Sequence, residues 1–278
     1  MVARGLTPSR TQAQALIRAG RILVDGRVVD KPGTPVPPTA ELKVVAPPQY
    51  VSRGGEKLEA ALRAFVVSPV GKVCLDVGAS TGGFTDCLLQ HGAAKVYALD
   101  VGRGQLDWKL REDSRVVVLE GRNARFLTPQ ALGELVDLVT VDVSFISLRL
   151  VLPPLEGIVQ PQGDVIALVK PQFEAGRDKV RKGVVSDPRV HREVLEGLVE
   201  FVLTELGWSV LGAVPSPLLG PAGNKEFFVH LGPRPGESVE LQWSQLGIGE
   251  GSEEKSTGEG HSPQQEGTGG QQPPPGRQ

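Results

Sequence analysis

The stretch Asp76-Val-Gly-Ala-Ser-Thr-Gly-Gly83 decides the fold, because it places a glycine-rich turn directly after the apolar run Val73–Val77. A helix is predicted from Phe84 to His91, and a second apolar run follows at Lys95–Asp100. A strand, a glycine turn, a helix and a second strand are typical of a parallel sheet that binds small molecules at its carboxyl edge. The sequence therefore predicts an α/β fold with a ligand site at this turn.

The spacing of the glycines indicates the kind of ligand. They follow the pattern Gly-x-x-x-Gly-Gly rather than the Gly-x-Gly-x-x-Gly of dinucleotide folds. This spacing argues against NAD and other cofactors that carry a pyrophosphate. Asp100 ends the next strand, where a carboxylate can accept hydrogen bonds from a ribose diol. The turn and Asp100 together predict a site for a nucleoside-type cofactor.

The alternation of strands and helices continues through the rest of the chain. A helical segment is expected at about 147–159, and a long amphipathic helix is predicted from His191 to Leu206. The last two apolar runs have no long helix between them, so we expect them to form an antiparallel pair. The further predicted strands are Val116–Leu119, Val136–Asp142, Val165–Lys170, Trp208–Leu211 and Glu226–Leu231.

Residues 1–60 form a basic region with nine Lys or Arg and five Asp or Glu. Ser9 can cap a helix that runs to about Ala19, and Asp25-Gly26-Arg27 is a tight-turn signal between two short strands. Two interpretations of the cations stay open, an ordinary solvated surface or a contact with nucleic-acid phosphates. The candidate arginines for RNA binding are Arg4, Arg10, Arg18, Arg21, Arg27 and Arg53.

The composition argues against several protein classes. The 278 residues have a formal net charge of −2, so the chain is not a polycation. No apolar run approaches the roughly 20 residues that cross a bilayer. Cys74 and Cys87 lie in apolar surroundings and predict buried thiols in a reducing compartment, so we expect a soluble cytoplasmic protein. The acidic segment 233–278, which from Gly247 onward is poor in apolar residues, is predicted to be a disordered tail.

Four ionisable residues are predicted to meet at the glycine turn: Lys57, Asp142, Lys170 and Glu226. Asp142 and Lys170 end consecutive apolar strands, so both should face the same crevice. One lysine at a strand end is usually a solvated charge, whereas two lysines interleaved with two carboxylates are a more informative pattern. A second cation nearby lets one lysine lose its proton more readily, and the carboxylates hold the orientation of the pair.

Several separate motifs resemble the TlyA family of ribosomal RNA 2′-O-methyltransferases, which have also been labelled haemolysins. The resemblance extends from about residue 4 to residue 231. The N-terminal module is similar to an S4 RNA-binding domain, and the remainder is similar to an FtsJ-type class I methyltransferase. The motifs are Ser52-Arg-Gly-Gly-Glu-Lys57, Asp76–Thr85, Thr140–Ser147, Leu168–Glu174 and Gly223–Phe227.

The resemblance implies S-adenosyl-L-methionine as cofactor and cytidines of ribosomal RNA, free or in ribosomal subunits, as substrate. It implies that the four ionisable residues form a Lys-Asp-Lys-Glu catalytic tetrad. We assign Lys170 as proton acceptor and Lys57 as the group that orients the hydroxyl, with Asp142 and Glu226 holding the two lysines. The cofactor contacts that the resemblance implies are Gly78, Ala79, Ser80, Gly82, Phe84, Asp100, Asn123 and Asp142.

The predicted fold class is α/β, a Rossmann-like class I methyltransferase sheet with a small α+β S4-like module and a disordered C-terminal tail. The boundaries are 1–46 for the module, 47–56 for a linker, 57–232 for the methyltransferase domain and 233–278 for the tail. S4 domains of the family begin several residues earlier, so we expect either a misplaced start codon or a module truncated at its N-terminus. The sequence has no metal-ligand spacing and gives no oligomeric state.

Two other functions stay open. A membrane-active cytolysin would need an exposed apolar or basic amphipathic helix, whereas the predicted helix from His191 has acidic residues on its polar face. An RNA-binding protein with an inactive methyltransferase fold would not need the tetrad. Among the remaining candidates, Phe145, Phe173 and Phe227 either stack on an extruded base or pack in the core, and His191 and His230 are interpreted as structural.

Overall fold

The computed structural model describes residues 1–46 and 48–249. In the N-terminal module, helix α1 (Arg10–Arg18) begins after Ser9, whose hydroxyl accepts a hydrogen bond of 3.2 Å from the backbone nitrogen of Gln12. The predicted cap and hairpin are confirmed. The sequence analysis does not predict the third short strand beside the hairpin, because its three residues are too few to establish an alternating pattern. The strands are β1 (Ile22–Val24), β2 (Arg27–Val28) and β3 (Leu42–Val44), paired antiparallel in the order β2-β1-β3.

A seven-stranded sheet forms the centre of the second domain, in the order β6-β5-β4-β7-β8-β10-β9. The first five strands of this order run parallel, and β10 is antiparallel to both of its neighbours. The predicted parallel sheet with an antiparallel end is therefore confirmed. The strands are β4 (Val73–Val77), β5 (Lys95–Asp100), β6 (Val116–Glu120), β7 (Val136–Val141), β8 (Val159–Val169), β9 (Ser209–Pro215) and β10 (Phe227–Gly232).

Helices cover both faces of this sheet. Alternate residues of each strand point to opposite faces, so each face presents apolar side chains to the helices that pack on it. Leu138 packs with Leu58 and Leu88 on one face, whereas Val139 packs with Leu195 on the other. All five of these side chains are fully buried. The helices are α2 (Gly54–Phe65), α3 (Gly83–Gln90), α4 (Trp108–Arg111), α5 (Pro171–Glu174) and α6 (Pro188–Thr204).

The structure differs from the sequence prediction in two segments. The segment 147–159 contains two single 3₁₀ turns, Leu148–Leu150 and Pro153–Leu155, instead of a helix. Adjacent prolines at 153 and 154 remove the backbone donors that a longer helix would need. The predicted linker 47–56 is also partly structured, because α2 begins at Gly54 and Tyr50 is buried. A Cβ atom at Gly55 would lie 2.1 Å from the Tyr50 ring, so this glycine permits the close packing.

The predicted disordered tail is wrong for residues 233–249. Leu241, Leu246 and Ile248 are buried against the face of the sheet that α6 covers, and the Arg192 guanidinium lies 4.8 Å from the Trp243 ring centroid. The segment is sparse in apolar residues, but those few meet an existing core. The remainder of the predicted tail, 250–278, lies outside the described residues.

Leu246→Ala is expected to lower the free energy of unfolding by about 2–5 kcal/mol, because Leu246 is fully buried in this packing. Urea unfolding of the full chain measures the change. Val239→Ala is the matched control, since Val239 belongs to the same segment and is half exposed. Equal stability of both variants and the parent would contradict the packing of this segment.

Among the described residues, none of the helices is both long enough and apolar enough to span a membrane.

Candidate active site

The glycine turn lies at the carboxyl edge of the sheet, between β4 and α3. Gly78 and Gly82 have φ angles of +88° and +97°, a region that favours glycine. A Cβ atom at Gly78 would lie 2.4 Å from the carbonyl oxygen of Asp142. The backbone nitrogens of Gly78 and Ala79 both donate to the carbonyl oxygen of Leu99. The turn is therefore held against the ends of β5 and β7 at a separation that only glycine allows.

A cavity of about 480 Å³ opens beside this turn, a size typical of small-ligand sites. The carboxylate of Asp100 accepts hydrogen bonds of 2.7 Å from the backbone nitrogens of Ser80 and Gly102, which fix its orientation. Asn123 accepts a bond of 3.0 Å from the backbone nitrogen of Arg125, so its amide NH₂ group stays available as a donor. The implied cofactor contacts in its lining are Gly78, Ser80, Asp100, Asn123 and Asp142.

A second cavity of about 270 Å³ adjoins the first, since both are lined by Gly78, Ser80, Asp142 and Ser144. Lys57 and Lys170 line the second cavity but not the first. Of the other implied cofactor contacts, Ala79 and Phe84 line this second cavity, whereas Gly82 lines neither and packs against Leu106 and Leu110. The two cavities together form one cleft with a nucleoside-sized end and a charged end.

Two lysine–carboxylate ion pairs occupy the charged end. Lys57 Nζ lies 2.6 Å from Glu226 Oε2, and Lys170 Nζ lies 2.6 Å from Asp142 Oδ1. Lys170 also donates a hydrogen bond of 2.9 Å to Ser144 Oγ. Residues up to 169 positions apart are thus brought to one cleft, with each cation beside one anion. The structure brings together all four predicted tetrad residues.

Glu226 is the most deeply buried member, with 1% of its surface exposed. Its Oε1 atom has no hydrogen-bond partner among the described residues. A Cβ atom at Gly220 would lie 2.4 Å from that oxygen, so the loop before β10 closes tightly over the carboxylate. Burial makes an unpaired carboxylate costly, which ties Lys57 firmly to its partner.

Sequence reasoning missed Ser144, which lines the cleft, and Asp76, which is buried in β4 just before the glycine turn. Ser144 lies in the quoted run Thr140–Ser147, but no spacing rule marks it as a partner of Lys170. Asp76 is fully buried and accepts hydrogen bonds from the hydroxyls of Thr85 (2.7 Å) and Thr140 (3.2 Å). Burial raises the pKa of Asp76 to about 7, against the opposing effect of these hydroxyls.

This raised pKa predicts a pH dependence of stability. Between the ordinary aspartate pKa and about 7, folded Asp76 holds a proton that the unfolded chain has lost, so stability falls as the pH rises. The protein is expected to lose about 1.4 kcal/mol per pH unit in that interval relative to Asp76→Asn. Urea unfolding of both proteins at pH 5, 6 and 8 measures this difference, and parallel pH profiles would contradict it.

The candidate aromatic residues have different environments. Phe227 is fully buried, which agrees with core packing. Core packing is wrong for Phe145, which is 90% exposed with a φ of +65° at the rim of the 480 Å³ cavity. Its ring centroid lies 5.0 Å from that of Phe173.

The two candidate histidines lie outside the cleft. His191 forms a hydrogen bond of 3.0 Å with the carbonyl oxygen of Val185. His230 forms one of 2.9 Å with Asp164 Oδ1.

The candidate RNA-binding arginines also divide into groups. Two arginines stabilise the module through hydrogen bonds to backbone carbonyl oxygens. Arg4 donates to Ala40 and Pro38, and Arg21 donates to Val45. Arg53 is exposed and lines the charged end of the cleft. Three arginines are exposed on the module without a side-chain hydrogen bond to another described residue: Arg10, Arg18 and Arg27.

Comparison with known proteins identifies the family. The model of the FtsJ-like methyltransferases matches residues 50–233, and the model of the S4 domain matches residues 1–42. The 16S/23S rRNA (cytidine-2′-O)-methyltransferase TlyA of Mycobacterium tuberculosis is 53% identical over 235 residues, 83% of this chain and 87% of that protein. The chain belongs to the TlyA family of FtsJ-like methyltransferases. The predicted resemblance is therefore confirmed.

Other members of the TlyA family carry a different label. Hemolysin A of Brachyspira hyodysenteriae is 42% identical over 81% of this chain and 95% of its own length. A solved structure from Streptococcus thermophilus, described as a candidate hemolysin, has a TM-score of 0.71 and is 43% identical, covering 87% of this chain and 90% of that one. The similarity to these family members therefore extends over both the S4 domain and the methyltransferase domain.

Proposed function

We propose that this protein transfers a methyl group from S-adenosyl-L-methionine to the ribose 2′-hydroxyl of a cytidine in ribosomal RNA. The single observation that carries the proposal is the cleft in which a nucleoside-sized cavity adjoins a second cavity lined by Lys57, Lys170 and Asp142. Lys170 pairs there with Asp142, and Lys57 pairs with the buried carboxylate of Glu226. The name of the relative from Mycobacterium tuberculosis supports the same reaction. Ribosomal RNA as substrate also favours a cytoplasmic location.

The residues of the cavity fit this cofactor. Asp100 is oriented to accept hydrogen bonds from a ribose diol, and the Asn123 amide can donate to an adenine nitrogen. Gly78 lets the turn pack against the carbonyl oxygen of Asp142, which a Cβ atom would approach to 2.4 Å, and this packing places the backbone of the turn in the cavity wall. Asp142 lines both cavities, so its carboxylate can face the cationic sulfur. S-adenosyl-L-methionine, when bound, supplies an activated methyl group.

The tetrad then acts on the hydroxyl of the RNA. Lys170 first releases its ammonium proton to solvent, and the neutral amine then takes the proton of the 2′-hydroxyl as the oxygen attacks, while Asp142 and Ser144 hold its Nζ atom in place. Lys57 orients the hydroxyl and the neighbouring phosphate, and buried Glu226 holds Lys57. Alignment of the reacting groups contributes roughly 7–11 kcal/mol at best, and proton transfer by a positioned side chain contributes about 10²–10⁴-fold.

The basic N-terminal module supports RNA as the substrate. Exposed Arg10, Arg18 and Arg27 present charge to phosphates without reading a sequence. Arg53 connects this charge to the cleft, because it lines the charged cavity. A cleft that must reach a ribose hydroxyl fits RNA rather than DNA, since the 2′-hydroxyl distinguishes the two.

Calorimetric titration with S-adenosyl-L-methionine, followed by tritium transfer to deproteinised ribosomal RNA and to subunits, tests the proposal. Cofactor binding with RNA labelling is expected. RNA binding without either would favour an inactive RNA-binding protein, and lysis of liposomes without either would favour the cytolysin. Each of the last two outcomes would overturn the proposed reaction.

A further inference from the structure

The loop between α5 and α6 carries unusual charge. Its residues 176–184, here called the basic hairpin, include the four exposed cations Arg177, Lys179, Arg181 and Lys182 and the single acid Asp178. Lys179 pairs with Glu193 on α6. The side chains of the other three cations form no ion pair or hydrogen bond with any residue from 1–46 or 48–249. Three cations thus face solvent from one short segment.

The basic hairpin begins with a single 3₁₀ turn at Arg177–Lys179 and ends in a tight two-residue turn at Arg181–Val184. Arg181 and Val184 exchange backbone hydrogen bonds of 3.0 and 2.9 Å around Lys182 and Gly183. These central residues have φ angles of +49° and +79°. Turns of this shape favour Asn-Gly, because a lysine is strained in the left-handed region. A strained lysine at the exposed tip points to a use for its charge.

The basic hairpin is fixed to the catalytic end of the molecule. Asn224 is 1% exposed; its Oδ1 accepts a hydrogen bond of 2.9 Å from the backbone nitrogen of Val185, and its Nδ2 donates one of 2.8 Å to the carbonyl oxygen of Gly183. Asn224 lies two residues before Glu226. The position of the cations is therefore set by the same segment that carries the tetrad carboxylate.

Aromatic residues connect the cofactor cavity to the basic hairpin. Phe145 lines the 480 Å³ cavity and packs on Phe173. Phe173 in turn lines a separate surface cavity of about 320 Å³ with Gly176 and Arg177. A polymer that places one unit in the cleft can therefore continue along Phe145 and Phe173 to the hairpin cations.

We propose that the basic hairpin binds the phosphates of the RNA strand next to the nucleotide that enters the cleft. This inference rests on the proposed function and adds a second RNA contact, on the methyltransferase domain itself. Cations without protein partners suit phosphate, because each contact releases counterions from the RNA. The hairpin then fixes how the strand leaves the cleft, whereas the S4 domain supplies binding farther along the RNA.

The test compares two triple variants of the full chain with equal loss of charge. R177Q/R181Q/K182Q removes the free cations of the basic hairpin. The control, R63Q/K95Q/R115Q, removes three exposed or half-exposed cations away from the carboxyl edge. KM for ribosomal RNA, kcat, cofactor affinity and the dependence of RNA affinity on salt are measured for each.

The hairpin variant is expected to raise KM for RNA by about tenfold or more, with kcat at saturating RNA and cofactor affinity close to the parent. Its slope of log affinity against log salt should be less steep by about 2–3, since each lost phosphate contact contributes roughly 0.7–0.9. The control should keep the parental KM and slope. A folded hairpin variant with parental KM and slope would overturn the inference.

Lys182→Gly keeps the test independent of folding defects, because glycine relieves the strained backbone at φ +49°. This variant should melt at the same or a higher temperature and still lose about one contact from the salt slope. An unchanged slope would contradict a role of Lys182. If the parent fails to methylate RNA while its RNA affinity still depends on the hairpin cations, the proposed reaction fails and the phosphate contact stands.

Discussion

Lys170→Met is expected to lower the rate of methyl transfer by about 10²–10⁴-fold, the usual contribution of a positioned proton acceptor. Methionine has nearly the length of lysine, so the cleft keeps its shape while the Nζ atom beside Asp142 and Ser144 is lost. Single-turnover transfer of a tritiated methyl group to ribosomal RNA measures the rate. Calorimetry is expected to give a cofactor affinity within a few-fold of the parent.

Two further variants separate the roles that Lys170 could have. Lys170→Arg keeps the positive charge but cannot release a proton at ordinary pH, so it is expected to be as inactive as the methionine variant. Lys72→Met is the matched control, because Lys72 forms a similar pair with Asp164, 2.9 Å apart, at the opposite edge of the sheet. Full activity of Lys170→Arg would mean that the lysine acts by charge alone.

Gly78→Ala is expected to weaken cofactor binding and to lower the rate of methyl transfer by roughly 10²-fold, because a displacement of about 1 Å at a reacting centre lowers the rate by that much. The new Cβ atom would lie 2.4 Å from the carbonyl oxygen of Asp142, so the turn and the end of β7 must separate. The φ of +88° adds roughly 1–2 kcal/mol of backbone strain for alanine.

Gly133→Ala provides the control for backbone strain in that comparison. Gly133 has a φ of +78°, and a Cβ atom there would meet no atom within 4 Å. The control should therefore lose similar stability in thermal melting but retain cofactor affinity in calorimetry. Parental cofactor affinity of Gly78→Ala would contradict the close approach of the turn to Asp142.

The sheet and the charged end of the cleft could be predicted from the sequence for a physical reason. Strands buried on both faces are continuous apolar runs, so their ends are visible where polar residues begin. Asp142 and Lys170 directly follow β7 and β8. Parallel neighbours bring such ends to one edge. Lys57 and Glu226 join them in that prediction as charged residues at strand edges, and the resemblance to a known family implies the same four residues.

The features that the sequence could not predict depend on partners distant along the chain. The packing of Leu246 requires a core that α6 has already formed. The raised pKa of Asp76 follows from complete burial, which its apolar neighbours suggest only in part. The hydrogen bond from Lys170 to Ser144 depends on the exact path of the loop after β7. Local patterns contain little information on these contacts.

Identification of the methylated atom tests the central claim most directly. Ribosomal RNA treated with the enzyme and labelled cofactor is digested to nucleosides, which are separated and analysed by mass spectrometry. The account predicts that the label appears in 2′-O-methylcytidine with the parent enzyme and disappears with Lys170→Met. Label on a base, or equal labelling of the ribose by Lys170→Met, would contradict it.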